Sequence, residues 1–215
     1  VVNALSTEMT VEVKRNGKIY QQTYRRGKTA TPLMEVGESR KTGSKTVFWP
    51  DPEIFEDIVF DYGTLEHRLR EMAFLNKGVR IVREGKKKKE EFHYEGGIKE
   101  FVKHLNTNKE PIHPEVIYFE LVKKDLEIEV AMQYTDSYSE LVLSYANNIS
   151  TTEGGTHMAG FKSSLTRVFN DYARRNKILK DSDDPLTGDD IREGLTAVVS
   201  VKLTEPQFEG QTKTK

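Results

Sequence analysis

The chain has 215 residues, a length that suits one large domain or two small ones. Its 33 basic and 34 acidic residues give a net charge of −1, so bulk charge does not indicate a nucleic-acid binder and any basic surface has to be local. The sequence contains no cysteine, which excludes disulfides, thiolate zinc sites and cysteine nucleophiles.

The apolar residues give no sign of a membrane segment or an export signal. No apolar run approaches the roughly 18 residues that span a bilayer, so we expect no membrane contact. The opening VVNALSTEM lacks a basic segment followed by a long apolar one, so it is not a signal peptide. The absence of cysteine fits a reducing cytoplasm. Because the chain begins abruptly and without Met, we interpret it as a fragment of a longer protein.

The first half of the chain predicts strands and two helices. Alternating apolar and polar residues indicate a half-buried strand, and Asn16-Gly17 is typical of a β-hairpin turn. Thr64 is a candidate helix cap and Gly78 the matching stop signal. We interpret the Lys86–Lys89 run as a solvated turn. In chain order, the predicted elements are strands at 9–15, 18–24 and 46–49, a helix at 64–76, strands at 79–83 and 91–94, and a helix at 98–105.

The second half of the chain begins with the best candidate for a domain linker. This stretch, NTNKEPIHP at residues 106–114, has two prolines and polar filler. Further on, Thr187-Gly188-Asp189-Asp190 resembles a capping box. The order β-β-β-α-α-β predicts an α+β layer. The predicted elements are strands at 116–122, 126–134 and 141–147, a loop at 151–157, a long helix through 161–172, a short helix after Thr187, and a buried strand at 196–203.

No complete active site is visible in the sequence. The five histidines show no HExxH or i,i+4 spacing, which favours surface or capping roles over a metal site. No GxSxG motif, Walker-type loop or complete GxGxxG occurs, and the carboxylates show no spacing that singles out an acid and a base.

Three loops are candidate functional segments, and each has an ordinary structural alternative. Residues 41–44 (KTGS) offer two hydroxyls at a glycine turn, or simply enter a strand. Residues 153–157 (EGGTH) place paired glycines before a helix, or form a tight turn with an N-cap. Residues 211–215 (QTKTK) form either an arm that reaches an anion or a frayed terminus.

Six stretches along the full length of the chain resemble the gyrase B family of bacterial type II topoisomerases. The equivalent subunit of topoisomerase IV is the close relative, but FLNKGVRI and FHYEGGIKEF are more similar to gyrase. The six stretches are KTGSKTVFWPDPEIF, RLREMAFLNKGVRI, FHYEGGIKEFVKHLNTNK, EGGTHMAGFKSSLTRVFNDY, LTGDDIREGLTAVVSVK and EPQFEGQTKTK.

The resemblance implies an α+β fold in two parts. Residues 1–102 would form the back half of a GHKL-type ATPase α/β sandwich, with VVNALS just after the ATP lid. Residues 103–215 would form most of a ribosomal-protein-like β/α transducer domain. The family's catalytic Glu, Mg²⁺-binding Asn, adenine-binding Asp and lid glycines belong to the upstream half. We therefore expect ATP and Mg²⁺ to be cofactors of the full-length enzyme, and this chain alone to be inactive.

The resemblance also implies a nucleotide site. Gln211 and Lys213 match a QTK loop that reaches into the ATPase domain and touches the γ-phosphate, so Lys213 is the expected catalytic residue. An ammonium on a flexible stem suits this role because it can pair with a terminal phosphate. Ser44, preceded by Gly43, matches a hydroxyl near the adenine-binding carboxylate. Arg15 matches a basic residue at the mouth of the nucleotide pocket.

Two further residues are expected to contact DNA. Lys162 matches a basic position that faces the cavity between two protomers, and Arg167 is expected to join the same basic stripe of the helix. The implied function is the ATP-driven clamp of a topoisomerase that passes one duplex through another and introduces negative supercoils. The implied partners are duplex DNA, gyrase A and a second copy of the chain that dimerises through the ATPase domain when ATP binds.

Three alternatives remain open at this point. The first is the topoisomerase IV subunit. The second is a non-catalytic nucleic-acid-binding module, supported by the basic residues Lys162, Arg167, Arg174 and Arg175 but weakened by the net charge of −1. The third is another GHKL clamp, such as a mismatch-repair protein or a heat-shock chaperone. The presence of EGGTHMAGF and QTK at this separation argues against the third.

Overall fold

The structure, a computed structural model, describes residues 1–85, 88–180 and 182–215. The chain folds into two compact units, Val1–Tyr62 and Gly63–Lys215. It contains both strands and helices, and the predicted α+β class is confirmed. The predicted boundary between two domains at residues 102 and 103 stays a prediction. The boundary between the two compact units lies earlier in the chain. No helix in the described part of the chain is long and apolar enough to cross a membrane.

The first unit is an antiparallel sheet preceded by a short 3₁₀ helix, Asn3–Leu5. The predicted hairpin is confirmed, because Arg15 pairs with Lys18, and Asn16 and Gly17 have φ of 54° and 80°, as a type I′ turn requires. The strand order is β3-β2-β1-β5, and β4 also pairs with β2. The strands are β1 (Ser6–Arg15), β2 (Lys18–Arg25), β3 (Lys28–Thr29), β4 (Met34–Glu38) and β5 (Gly43–Pro50).

The second unit contains four helices, a small hairpin and a five-stranded sheet among its described residues. The sheet order is β11-β10-β12-β9-β8, in which only the β10–β12 pair is parallel. Lys86 and Lys87 of the predicted solvated turn lie outside the described residues. The elements are α1 (Tyr62–Leu75), β6 (Arg80–Glu84), β7 (Lys89–His93), α2 (Ile98–Leu105), β8 (Ile117–Lys123), β9 (Leu126–Tyr134), β10 (Leu141–Ala146), β11 (Ile149–Ser150), α3 (Thr156–Arg175), α4 (Gly188–Arg192) and β12 (Leu195–Leu203).

Helices cover both faces of the five-stranded sheet, and each face has its own hydrophobic core. Neighbouring residues of a strand point to opposite faces, so Ala131 of β9 packs with α1 and α2, while Met132 packs with α3 and α4. The central strand β12 is buried from Leu195 to Val201. A strand covered on both faces reads as a continuous apolar run, which explains why the sequence predicts a buried strand here.

Two predicted helix starts have opposite outcomes. Helix α4 begins after Thr187, whose hydroxyl oxygen accepts a hydrogen bond from the Asp190 N–H, while the Asp190 carboxylate accepts one from the Thr187 N–H, so the capping box is confirmed. Helix α1 begins at Tyr62, so Thr64 lies inside its first turn and the predicted cap is wrong. The Gly78 stop signal has the expected positive φ of 77°.

The segment 106–114, the candidate domain linker, is bonded into the second unit. Asn106 is buried, and its side-chain amide donates to the Gln133 side-chain oxygen at 3.1 Å. The Ile112 N–H donates to the Tyr134 carbonyl at 3.0 Å. The two prolines therefore shape an ordered crossing from α2 to the sheet.

A buried hydrogen-bond network joins α1 to strand β10. Tyr145 has no exposed surface, and its hydroxyl donates to Oε1 of Glu71 at 2.7 Å. Oε2 of Glu71 accepts from Arg68 at 3.0 Å. Burial, reinforced by the hydrogen bond to Glu71, raises the pKa of Tyr145 above its ordinary value. The phenol is therefore a neutral donor at neutral pH.

Removing this hydroxyl tests the network. We expect Tyr145→Phe to lower the free energy of unfolding by about 1.5–3 kcal/mol, because a hydrogen bond to a charged group is lost inside the protein. Urea unfolding followed by circular dichroism measures the change. The control is Tyr138→Phe, at a residue 88% exposed, which should stay within about 0.5 kcal/mol of the parent. Equal losses in both variants would contradict a stabilising role for the buried hydroxyl.

Candidate functional site

Residues 205–215, which follow strand β12 and are called the arm below, fold back on themselves. The Glu209 N–H donates to the Lys215 carbonyl at 2.7 Å, and Lys215 Nζ pairs with the Glu209 carboxylate at 3.0 Å. The Glu153 N–H donates to the Thr214 carbonyl at 2.9 Å. The arm is therefore a closed loop held against the turn that precedes α3, and it is not a frayed terminus.

The predicted phosphate-contacting residues are presented at the surface of the arm. Gln211 and Lys213 are both exposed. Lys213 has a left-handed backbone with φ of 57°, and its Nζ lies 5.5 Å from the ring centroid of Phe208. Within the described ranges, no carboxylate forms an ion pair with Lys213, whereas Lys215 is paired with Glu209. The Lys213 ammonium is held only by a weak cation–π contact and is free to meet an anion.

The turn before α3 is built on two glycines. Gly154 and Gly155 have φ of 89° and 151°, a backbone region that L side chains rarely adopt. The tight-turn alternative for residues 153–157 is therefore confirmed. The side-chain cap is not, because Gly155 occupies the N-cap of α3 and no side chain accepts a hydrogen bond there.

Buried hydroxyls fasten this turn to the sheet. The Thr151 hydroxyl lies 2.6 Å from that of Ser144 on β10 and 3.1 Å from Nε2 of His157 on α3. Burial lowers the pKa of His157, so the imidazole is neutral at neutral pH. These hydrogen bonds connect the sheet, the turn and the start of α3. The same turn holds the arm through the hydrogen bond from Glu153 to Thr214.

The first predicted DNA-contacting residue, Lys162, is bound to a carboxylate. Its Nζ lies 2.5 Å from Oε1 of Glu140, whose Oε2 accepts from Arg192 at 2.8 Å. Arg192 also pairs with Asp189 at 2.8 Å. Burial alone would raise the pKa of Glu140, but the hydrogen bonds from Lys162 and Arg192 lower it below its ordinary value. Glu140 is therefore ionised at neutral pH, and the four charges balance.

The second predicted DNA-contacting residue, Arg167, lies on another side of α3. Five positions along an α-helix correspond to a rotation of about 140°, so Lys162 and Arg167 project in different directions, and their membership of one basic stripe stays a prediction. Arg167 is exposed, while the Lys162 ammonium is paired with Glu140. A DNA contact by either residue stays a prediction, and the two side chains point to different surroundings.

The three predicted nucleotide-pocket residues of the first unit are close together. Gly43 pairs with Lys14, and Ser44 pairs with Val13 at the same end of the sheet. Because alternate residues of a strand share a face, Arg15 and Ser44 lie on one face. All three are exposed, and a Cβ added at Gly43 would meet nothing within 4 Å. Their role in nucleotide binding stays a prediction.

The described residues contain no group of three or more His, Asp or Glu side chains that could hold a metal ion. Sequence reasoning missed two residues that contact the predicted site residues: Glu140, which pairs with Lys162, and Phe208, which lies under Lys213. The first carries no motif and comes 22 residues before its partner in the sequence, so no local spacing could have revealed it.

Two of the solved structures that this chain resembles are an ATPase domain of gyrase B and an ATP-binding domain of topoisomerase IV. The 43K ATPase domain of Thermus thermophilus gyrase B, in complex with an aminocoumarin, is 41% identical with a TM-score of 0.82, over 97% of this chain and 58% of that chain. The topoisomerase IV ATP-binding domain of Francisella tularensis, in complex with a small-molecule inhibitor, is 31% identical with a TM-score of 0.83, over 99% and 59% of the two chains.

The sequence comparisons identify the family. A family model for DNA gyrase B matches residues 97–215, more than half of the chain. The DNA gyrase B protein of Clostridium acetobutylicum is 60% identical over the whole of this chain, which spans 34% of that relative. The chain belongs to the DNA gyrase B family.

Proposed function

We propose that this chain is part of the ATP-operated clamp of a type II topoisomerase, acting as gyrase B. The observation that carries the proposal is the 60% identity to a gyrase B protein over the whole chain. The complete enzyme couples ATP binding and hydrolysis to the passage of one duplex through another, and introduces negative supercoils. It acts in the cytoplasm with gyrase A, as a homodimer closed through the ATPase domain.

The arm acts as the nucleotide sensor of the clamp. Lys213 pairs with the terminal phosphate of ATP, and Gln211 contacts the same group; Arg15, Gly43 and Ser44 line the nucleotide pocket. The exposure of Lys213, which has no ion-pair partner among the described residues, supports this role. Loss of the phosphate releases the arm, a local electrostatic event with a global readout. In the complete enzyme, Mg²⁺ accompanies the bound ATP.

A supercoiling assay tests the proposed function. The intact protein is mixed with gyrase A, relaxed circular DNA and ATP, and we expect negative supercoils that require ATP. Decatenation without supercoiling would favour a topoisomerase IV role, the second candidate, which the similarity to the Francisella tularensis domain supports. DNA binding that does not respond to nucleotide, with no change in topology, would favour a non-catalytic binding module.

A single substitution tests the proposed DNA contact of α3. Lys162→Gln in the intact protein should weaken binding of a short duplex and reduce the dependence of log K on log salt by about 1, because one phosphate contact is lost. Basal ATP hydrolysis should be nearly unchanged. Lys162→Glu is a poorer choice, since it would place a second carboxylate beside Glu140. The control is Lys124→Gln, which removes an exposed cation from the β8–β9 turn. Identical salt dependence in both variants would contradict the contact.

A further inference from the structure

The four charges around Glu140, called the Glu140 cluster below, are an obstacle to the proposed DNA contact. Lys162 is the residue expected to meet phosphate, yet its ammonium is bound to Oε1 of Glu140 at 2.5 Å. The cluster contains Lys162, Arg192, Glu140 and Asp189 and carries no net charge. A duplex that approaches α3 therefore meets a neutral cluster, and Lys162 can take a phosphate only by leaving Glu140.

The two oxygens of Glu140 are divided between two cations of different mobility. Arg192 is 15% exposed and is held a second time by Asp189, so it is fixed in place. Lys162 is 32% exposed, and Glu140 is its only ion-pair partner among the described residues. A lysine side chain has a flexible four-carbon stem and can swing its ammonium to a new acceptor. Lys162 is therefore the member of the cluster that can be exchanged.

We propose that Glu140 competes with DNA phosphate for Lys162, so that the clamp grips a duplex by exchanging a carboxylate for a phosphate. This inference rests on the proposed function, since it assumes that Lys162 contacts DNA. The exchange keeps DNA binding weak. The net gain is only the difference between the interaction free energies of the ammonium with phosphate and with the Glu140 carboxylate. A weak grip suits a cavity through which a duplex has to pass. Glu140 is in this sense a residue that sets affinity without contacting DNA.

The size of the effect follows from the exposure of the pair. A partly exposed ion pair contributes a free energy that corresponds to at most about a fivefold change in a binding constant. Glu140→Gln keeps the shape of the side chain and removes the charge. We expect it to tighten binding of a short duplex by about two- to fivefold at low salt. It should also steepen the dependence of log K on log salt by less than about 1, because Lys162 then meets phosphate without giving up a carboxylate.

The experiment is a double-mutant cycle on the intact protein. Fluorescence anisotropy of a labelled duplex is measured between about 50 and 200 mM salt for the parent, Glu140→Gln, Lys162→Gln and the double variant. We expect Lys162→Gln to cost more affinity when Glu140 is already Gln than in the parent. The matched control is Asp171→Asn, which removes the same charge from an exposed position of α3. It should leave the effect of Lys162→Gln unchanged.

The outcomes separate the inference from the function on which it rests. If Lys162→Gln weakens binding equally in both backgrounds, the DNA contact stands and the competition is overturned. If Lys162→Gln has no effect in either background, the DNA contact is wrong and the competition falls with it. If Asp171→Asn tightens binding as much as Glu140→Gln does, the effect is one of net charge, and the specific competition for Lys162 is overturned.

Discussion

We expect Lys213→Ala in the intact protein to lower the rate of ATP hydrolysis by about tenfold to a few hundredfold and to leave ATP binding largely unchanged. A charge-assisted hydrogen bond to phosphate contributes roughly 1.5–3 kcal/mol, and this corresponds to the stated range if the contact strengthens in the transition state. Alanine keeps a Cβ at a position whose φ is 57°, so the strain of the left-handed backbone is unchanged. Single-turnover hydrolysis and supercoiling are the measurements.

The arm supplies a matched control two residues further on. Lys215 is already paired with Glu209 at 3.0 Å, whereas the contact found for the Lys213 ammonium among the described residues is the Phe208 ring. Lys215→Ala should therefore cost no more than an exposed ion pair, up to about 1 kcal/mol of stability, and leave hydrolysis nearly intact. Lys213→Arg should rescue only in part, because a planar guanidinium cannot replace a compact ammonium. Small and equal losses in the two alanine variants would reject the sensor role.

The elements that could be predicted from the sequence are those whose signals are local. The Asn16-Gly17 turn requires positive φ at both positions, and helix α2 occupies Ile98–Leu105 as predicted. The box at Thr187 is satisfied within four residues. The Thr64 cap failed because a helix boundary depends on hydrogen bonds that a single hydroxyl does not determine, and helix ends shift by a residue or two.

Features that depend on distant contacts could not be predicted. The segment 106–114 has the composition of a linker, but Asn106 is buried against Gln133, 27 residues away. On α3, Val168 and Tyr172 are apolar or aromatic residues at helical spacing, yet they are 56% and 63% exposed. Composition and periodicity indicate which structures a segment favours. Whether its residues are buried or exposed depends on the tertiary contacts that they make.

The same distinction holds for the candidate site. The QTK motif identified Lys213 from the resemblance, but the sequence does not show that Thr214 is bonded to Glu153 or that Lys213 lies over Phe208. For Lys162 the structure differs more from the sequence-based expectation. Its ammonium is already paired with Glu140 and is not free to bind a DNA phosphate. A motif assigns a residue to a role, and only the geometry gives its charge environment.

Gly194 lies at the point where α4 gives way to the central strand β12, and a side chain there has no room. Its φ is 74°, and an added Cβ would lie 2.4 Å from the Thr135 carbonyl oxygen and 2.8 Å from that of Ser137. The backbone cannot easily move away, because the Thr135 N–H donates to the Gly194 carbonyl at 2.9 Å. The atoms in the way belong to the backbone of the residues just after strand β9. They cannot rotate aside as the end of a flexible side chain could.

We expect Gly194→Ala to lower the free energy of unfolding by about 2–5 kcal/mol, the sum of left-handed strain and a forced shift of packed backbone. Gly160→Ala is the control, because Gly160 lies in α3, is exposed and has nothing within 4 Å of an added Cβ. It should stabilise the protein by about 0.5–1 kcal/mol, since alanine is the better helix former. Urea unfolding followed by circular dichroism compares the two variants. A Gly194→Ala protein as stable as its parent would show that β12 can shift against Thr135, and the two-sided packing of the central strand would then not be rigid at this end.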